Sequence, residues 1–116
     1  MALQPVLLDA MLDAAAAEAV TASLHTADPG ATGTAEVTGG TYARQSITWS
    51  SASGGQLDSS APIVFDVPGG TTVTHLGLWN GSTWLGGIEL STPETYGAAG
   101  TYTVSLIRLT LADTSA

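Results

Sequence analysis

The sequence predicts a mainly β fold, an antiparallel β-sandwich or jelly-roll-like domain preceded by one N-terminal α-helix. Three observations carry this. Apolar residues recur at three- and four-residue spacing only near the N-terminus. Beyond about residue 24 the pattern becomes alternation with period two, and Gly and Pro punctuate the chain about every ten residues. Short strands at that spacing favour stacked antiparallel sheets over a parallel sheet with crossover helices. At 116 residues the sequence reads as one domain. Residues 1–24 form the helix and its lead-in, and residues 25–116 form the sandwich.

The helix is expected over residues 5–21. Pro5 suits the first helical position, where its missing N–H costs nothing. Leu8, Met11, Leu12, Ala15, Ala16, Ala19 and Val20 make one apolar stripe. Asp9, Asp13 and Glu18 take the remaining surface. Asp9 and Asp13 repel at a spacing of four, by some tenths of a kcal/mol, and Ala15–Ala17 compensate through propensity.

Strands follow in order. Ala22–Thr26 reads as a short one, ended by the Asp28-Pro29-Gly30 turn. From Tyr42 to Ser50, Ala43, Ile47 and Trp49 alternate with Arg44, Ser46 and Thr48. Ser50–Gly55 is a break. Ile63, Phe65 and Val67 alternate with Val64 and Asp66, and Pro68-Gly69-Gly70 ends that strand. Val73–Trp79 leads into Asn80-Gly81, a tight-hairpin signal that returns through Thr83–Leu90. Thr101–Leu111 reads as one last strand, apolar on both faces from Leu106 to Leu109, hence central or covered by the helix.

Composition restricts function. Charged residues are 10% of the chain, well below the roughly 25% of an ordinary soluble domain. The solvated face must therefore be built from Thr, Ser, Gly and Ala, which lose little side-chain entropy on docking. Ten carboxylates face two arginines and no lysine, for a net charge of −8. Neutralising phosphates needs Lys and Arg, so no nucleic-acid partner is expected, and no attachment to anionic lipid. Without cysteine, disulfides and thiolate metal sites are excluded. Residues 1–8 lack a basic leader and no apolar run reaches 18 residues, so neither a signal peptide nor a membrane span is expected.

The search for chemistry finds little. His25 and His75 could each be paired with an acid not far off, Asp28 and Glu89. No His-x-x-x-His spacing and no Gly-x-Ser-x-Gly elbow is present. His75, on the same strand face as Val73 and Trp79, reads as a structural histidine. Asp58 with Asp66, or Glu89 with Glu94, could be drawn as a glycosidase pair, but no spacing singles them out. Asp28 and Glu36 in a glycine-rich loop could ligate calcium, yet the regular Asp-x-Asp-x-Asp spacing is missing. No catalytic residue, metal site or cofactor is expected.

Aromatics and arginines remain. Trp49, Trp79 and Trp84 with Tyr42, Tyr96 and Tyr102 could form a sugar platform. Large aromatics also fill sandwich cores, the better reading for Trp49 and Trp79. Trp84, next to the turn, is the candidate for an interface or ligand contact. Arg44 and Arg108 read either as local charge compensation or as bidentate pairs between subunits.

The segments Ser23–Gly33, Glu36–Trp49, Pro68–Trp79 and Pro93–Val104, including Tyr42-Ala43-Arg44, carry a resemblance. Across about residues 20–105 the chain resembles small virion proteins of tailed actinobacterial phages, labelled tail-fibre, minor structural or decoration proteins. The resemblance implies a non-enzymatic virion component, located in the virion and assembled in the host cytoplasm. It also implies a structural or interface role for Arg44. The expected placement is a capsid decoration or minor capsid protein stabilising the shell, because no shaft or repeat is visible. A tail-fibre or tail-tip component is the alternative, and a free-standing carbohydrate-binding module a third. Expected partners are other copies of the chain, as a trimer or similar oligomer using the thin alanine face of residues 15–20, and a major capsid or tail protein. The expected docking surface is the acidic side of the helix (Asp9, Asp13, Glu18), with the Trp79–Trp84 hairpin at the opposite end.

Overall fold

The computed structural model describes residues 4–111; the outermost parts of the two expected regions, 1–3 and 112–116, lie outside the described residues. One helix, α1 (Pro5–Glu18), precedes eight strands: β1 (Thr21–His25), β2 (Gln45–Ser46), β3 (Gln56–Asp58), β4 (Ile63–Val67), β5 (Thr71–Asn80), β6 (Thr83–Tyr96), β7 (Gly100–Val104) and β8 (Arg108–Thr110). All pairings are antiparallel. They form a four-stranded sheet in the order β2-β1-β5-β6 and two ribbons, β4–β7 and β3–β8. The expected mainly β, antiparallel fold with one N-terminal helix is the fold observed.

The core lies between the four-stranded sheet and the β4–β7 ribbon. Ala22 and Leu24 of β1 and Val73, Leu76 and Leu78 of β5 share one apolar cluster with Ile63, Phe65 and Val67 of β4 and Val104 of β7. The period-two pattern of β4 sends Ile63, Phe65 and Val67 inward and leaves Val64 and Asp66 outside. Phe65 is fully buried and stacks on Tyr42, with ring centroids 6.3 Å apart. The body is elongated, 51 × 28 × 26 Å.

Several elements depart from the sequence expectation. The helix ends at Glu18, not residue 21, because the Val20 N–H leaves the helix to bond Trp79 O at 3.1 Å. Its packed side is Leu8, Leu12, Ala15, Ala16 and Ala19; Met11 and Val20, assigned to the same stripe, are exposed. Of the alanine face at 15–20 expected to serve oligomerisation, Ala15, Ala16 and Ala19 are turned toward the chain's own body and Ala17 is exposed. The expected strand over 42–50 shrinks to Gln45–Ser46 plus a bridge from Trp49 to Ser59. Strand β3 lies where no strand was expected.

The last expected strand is split. Ile107 exchanges two hydrogen bonds with Ser59, its N–H donating to Ser59 Oγ and its carbonyl accepting from Ser59 N. That exchange moves the chain from β4, the partner of β7, to β3, the partner of β8. Leu106, read as doubly buried, is therefore 46% exposed at the switch, while Ile107 is buried.

The β5–β6 hairpin is longer than expected and its turn sits one residue later. Asn80 pairs with Thr83, so Gly81 and Ser82 form the loop. A single positive φ, 58° at Gly81, fits a II′ turn with Gly in its first position. Two irregularities interrupt the ladder. Leu85 is extra between the Leu78–Gly86 and Trp79–Trp84 pairs. Between the Val73–Glu94 and His75–Glu89 pairs, Leu90 to Pro93 bulge out opposite Thr74 alone. The second irregularity puts Val73 in the core, whereas His75 lies on the other face.

These assignments predict an asymmetry along β4. Phe65→Ala should lower stability by about 3–5 kcal/mol, whereas Val64→Ala, at a half-exposed position, should stay within about 0.5 kcal/mol. Urea denaturation midpoints of the two variants check this.

Candidate functional site: the clamped outer face of the sheet

The face of the four-stranded sheet turned away from the core carries the cluster richest in chemistry. Register places Ser23 opposite Gly77, His25 opposite His75, and Trp79 opposite Trp84 on that face. Instead of a second sheet, the segment between β1 and β2 (residues 26–44) covers it. That segment is poor in large apolar side chains, so polar contacts must hold it.

Arg44 and Glu36 are the first of these. The Arg44 guanidinium donates two hydrogen bonds to the Glu36 carboxylate, at 3.0 and 2.9 Å. Its Cζ lies 3.7 Å from the Trp79 ring centroid, a cation–π geometry, and its Nη1 donates to Gly81 O in the hairpin turn. Glu36 also accepts from the Tyr42 hydroxyl at 2.8 Å. That hydroxyl oxygen in turn accepts the Leu24 N–H of β1 at 2.9 Å. Partial burial pushes the Glu36 carboxyl up, but the hydrogen bonds from Arg44 and Tyr42 outweigh it and leave the carboxyl below its ordinary value of 4.5. Burial, against a lowering hydrogen bond from Leu24, raises the Tyr42 hydroxyl well above its ordinary range.

Beneath the clamp runs a buried polar string. Trp79 Nε1 donates to Ser23 Oγ at 2.8 Å, and Ser23 Oγ lies 2.7 Å from His25 Nε2. His25 Nδ1 lies 2.8 Å from Thr34 O. A carbonyl only accepts, so Nδ1 carries the proton of the neutral ring, and Nε2 accepts the Ser23 hydroxyl. A serine hydroxyl on an imidazole is the first contact of a nucleophile–base pair. Here both residues are fully buried, with Trp84 packed edge-on against His25 at 5.4 Å. Burial lowers the His25 pKa below 6.5, with Arg44 and His75 adding to the effect against the Thr34 carbonyl and Glu36.

The fit is close enough to require glycine. A Cβ on Gly77 would collide with Ser23 Oγ, would sit 2.6 Å from His25 Nε2 and would sit as close to Trp84. Gly33 of the covering segment rests against both indoles, where a Cβ would come within 2.8 Å. Trp84 Nε1 donates to Gly30 O at 3.2 Å.

The interface candidates Arg44, Asp9, Asp13, Glu18 and Trp84 are all engaged within the chain. Arg44 pairs with Glu36, and Arg108 with Asp58 across β3–β8 at 2.8 Å. Asp9 and Asp13 accept the backbone N–H groups of Gly55 and Ala52, at 2.8 and 2.9 Å, and so tie the helix to the 51–55 turn. Glu18 accepts from Asn80 Nδ2 at 2.7 Å. That last bond overturns the expected layout, because the hairpin turn lies against the helix C-terminus and not at the opposite end. Trp84 is half-buried and lodged against Trp79, with rings at 68°. Trp49 packs at the core edge and donates to Ala19 O. Asp28 caps Gly30 N and Glu36 is committed to Arg44, so the two acids weighed as calcium ligands are each engaged elsewhere. Among the described residues no three His, Asp or Glu side chains converge as a metal site, and no helix is long and apolar enough to cross a membrane.

Sequence reasoning missed Ser23 altogether and met Glu36 only as a calcium candidate. The available signal was the Ser23-x-His25 spacing, which puts both side chains on one face of a strand.

Residues 2–112 match the family described as podophage GP4 fiber I protein gp80. The chain belongs to that family. This fits the resemblance to phage virion proteins and supports a structural role in the virion. No curated protein and no solved structure matches the chain significantly. In this chain Tyr42 and Arg44 of the Tyr-Ala-Arg segment are the residues that clamp the sheet's outer face.

Two outcomes follow. Gly77→Ala should cost about 3 kcal/mol or more, since neither the strand backbone nor the two rings can retreat; the unfolding midpoint in urea reads it. On the acid side the pH profile should fall in two steps. A histidine whose pKa is depressed in the folded state contributes fully above 6.5 and loses that contribution as pH falls through the folded value. Glu36 adds a second loss as pH falls below 4.5. The melting temperature should therefore drop on acidification from pH 7, and His25→Gln should remove the first part of that drop.

Proposed function

We propose that this chain is a structural subunit of a bacteriophage tail fibre that performs no catalysis. The match to a fibre family over nearly the whole sequence carries the reading. The 51 Å long body suits a fibre segment, and both arginines are spent inside the chain. The serine–histidine contact of Ser23 and His25 is sealed from solvent.

A second reading, decoration of the capsid shell, is favoured by the absence of any repeat or shaft pattern in the sequence. The carbohydrate-module reading is disfavoured by the indoles. Trp79 and Trp84 meet edge to face and lie under Gly33 and Arg44, so they present no coplanar platform.

Gold-labelled antibody against the chain, applied to intact virions, separates the placements. Label at the tail is the expected result. Label over the head facets would establish the shell reading, and unlabelled particles would remove both.

A further inference from the structure

Helix α1 is anchored on one side and bare on the other. Helical spacing puts Val6, Ala10, Ala14 and Ala17 in one row with Leu7 and Met11 beside it. All six are exposed, Val6 at 78%, Leu7 at 46% and Met11 at 45%. A helix apolar on nearly every side belongs in contact with other protein. Its own body takes the opposite side, where Leu12 is buried and Leu8, Ala15 and Ala16 are half-buried, and holds the carboxylates of Asp9, Asp13 and Glu18 by hydrogen bonds. The acids Asp13 and Glu18 border the bare strip, and no basic residue occurs along the helix.

We propose that this outward face of α1 seats in an apolar groove with a basic rim on a different protein of the virion. Charge and area select that occupant over a second copy. Each copy carries −8 and both its arginines are paired internally, so two α1 faces brought together repel. A helix of 14 residues is about 21 Å long, and a strip about 10 Å wide along it offers about 200 Å². That is about a quarter of the roughly 800 Å² each partner buries in a stable interface. A groove reaches the helix on its flanks as well and recovers the missing area. Lysines or arginines on its rim would meet Asp13 and Glu18, giving orientation and encounter rate. The inference rests on the virion role proposed above.

The test introduces Leu7→Gln with Met11→Gln into the phage and counts copies per purified virion against the major capsid protein. Incorporation should fall at least about tenfold, as two large apolar side chains lose their burial. The purified double variant should keep the wild-type circular dichroism and melting temperature, and Val64→Ser, at an exposed apolar site elsewhere, should incorporate normally. Asp13→Asn with Glu18→Gln keeps both hydrogen-bond acceptors and removes the charge. Wild-type protein should be released from virions as salt rises from about 0.1 M to about 1 M, where screening shortens from about 10 Å to about 3 Å. The neutralised variant should show a flatter release curve. Undiminished incorporation of the folded Leu7/Met11 variant would overturn the proposal. So would sedimentation showing a wild-type oligomer that this variant reduces to monomer, which would make a second copy the occupant. Identical salt curves would overturn the basic rim. Absence of wild-type protein from particles would instead strike the virion role itself.

Discussion

The Glu36 carboxylate fixes the architecture of one side of the molecule. A β-sheet with two apolar or half-apolar faces must cover both, and here a second sheet covers only one. The other is closed by an irregular segment with little apolar surface to bury. Glu36 compensates by holding Arg44 with a pair of bonds and the Tyr42 hydroxyl with a single one. Tyr42 then reaches the backbone of β1, and Arg44 reaches Trp79 and the hairpin turn. The chain Trp79–Ser23–His25 ends on a carbonyl of the same segment, Thr34. A displaced segment would leave that buried string without its last acceptor, so the polar clamp and the buried string stand or fall together.

What could be read in the sequence was what depends on neighbours in the chain. The alternation of β4 and the turn signal after β5 are local, and both were placed within a residue or two. Strands β2 and β3 are two and three residues long and exist because partners hold them. The break at Leu106–Ile107 depends on Ser59, 48 residues away, and nothing near Leu106 announces it. The site shows the same division. Scarcity pointed to Arg44, whereas its partner Glu36 is one acid of ten. Asp9 and Asp13 looked like solvated charges, because their amide partners lie 46 and 39 residues on.

The helix is attached in a manner consistent with those bonds. Carboxylates on consecutive turns accept amide protons from one tight turn, and Glu18 reaches the hairpin. Charge-assisted hydrogen bonds of this kind set orientation more narrowly than apolar contact does. The helix therefore presents a defined outer surface although little of it is buried.

The bulge of Leu90 to Pro93 in β6 has a bearing on crowding. β6 is the outermost strand of its sheet, and a long open strand invites a neighbour's backbone to join it. Opposite Thr74 the strand buckles, and Pro93 there has no amide proton to offer. Copies held close together on one particle would meet an interrupted edge, on which a continuous intermolecular ladder cannot propagate. The same buckle that perturbs the hairpin register thus leaves the outermost strand without the continuous open edge on which a cross-β ladder grows.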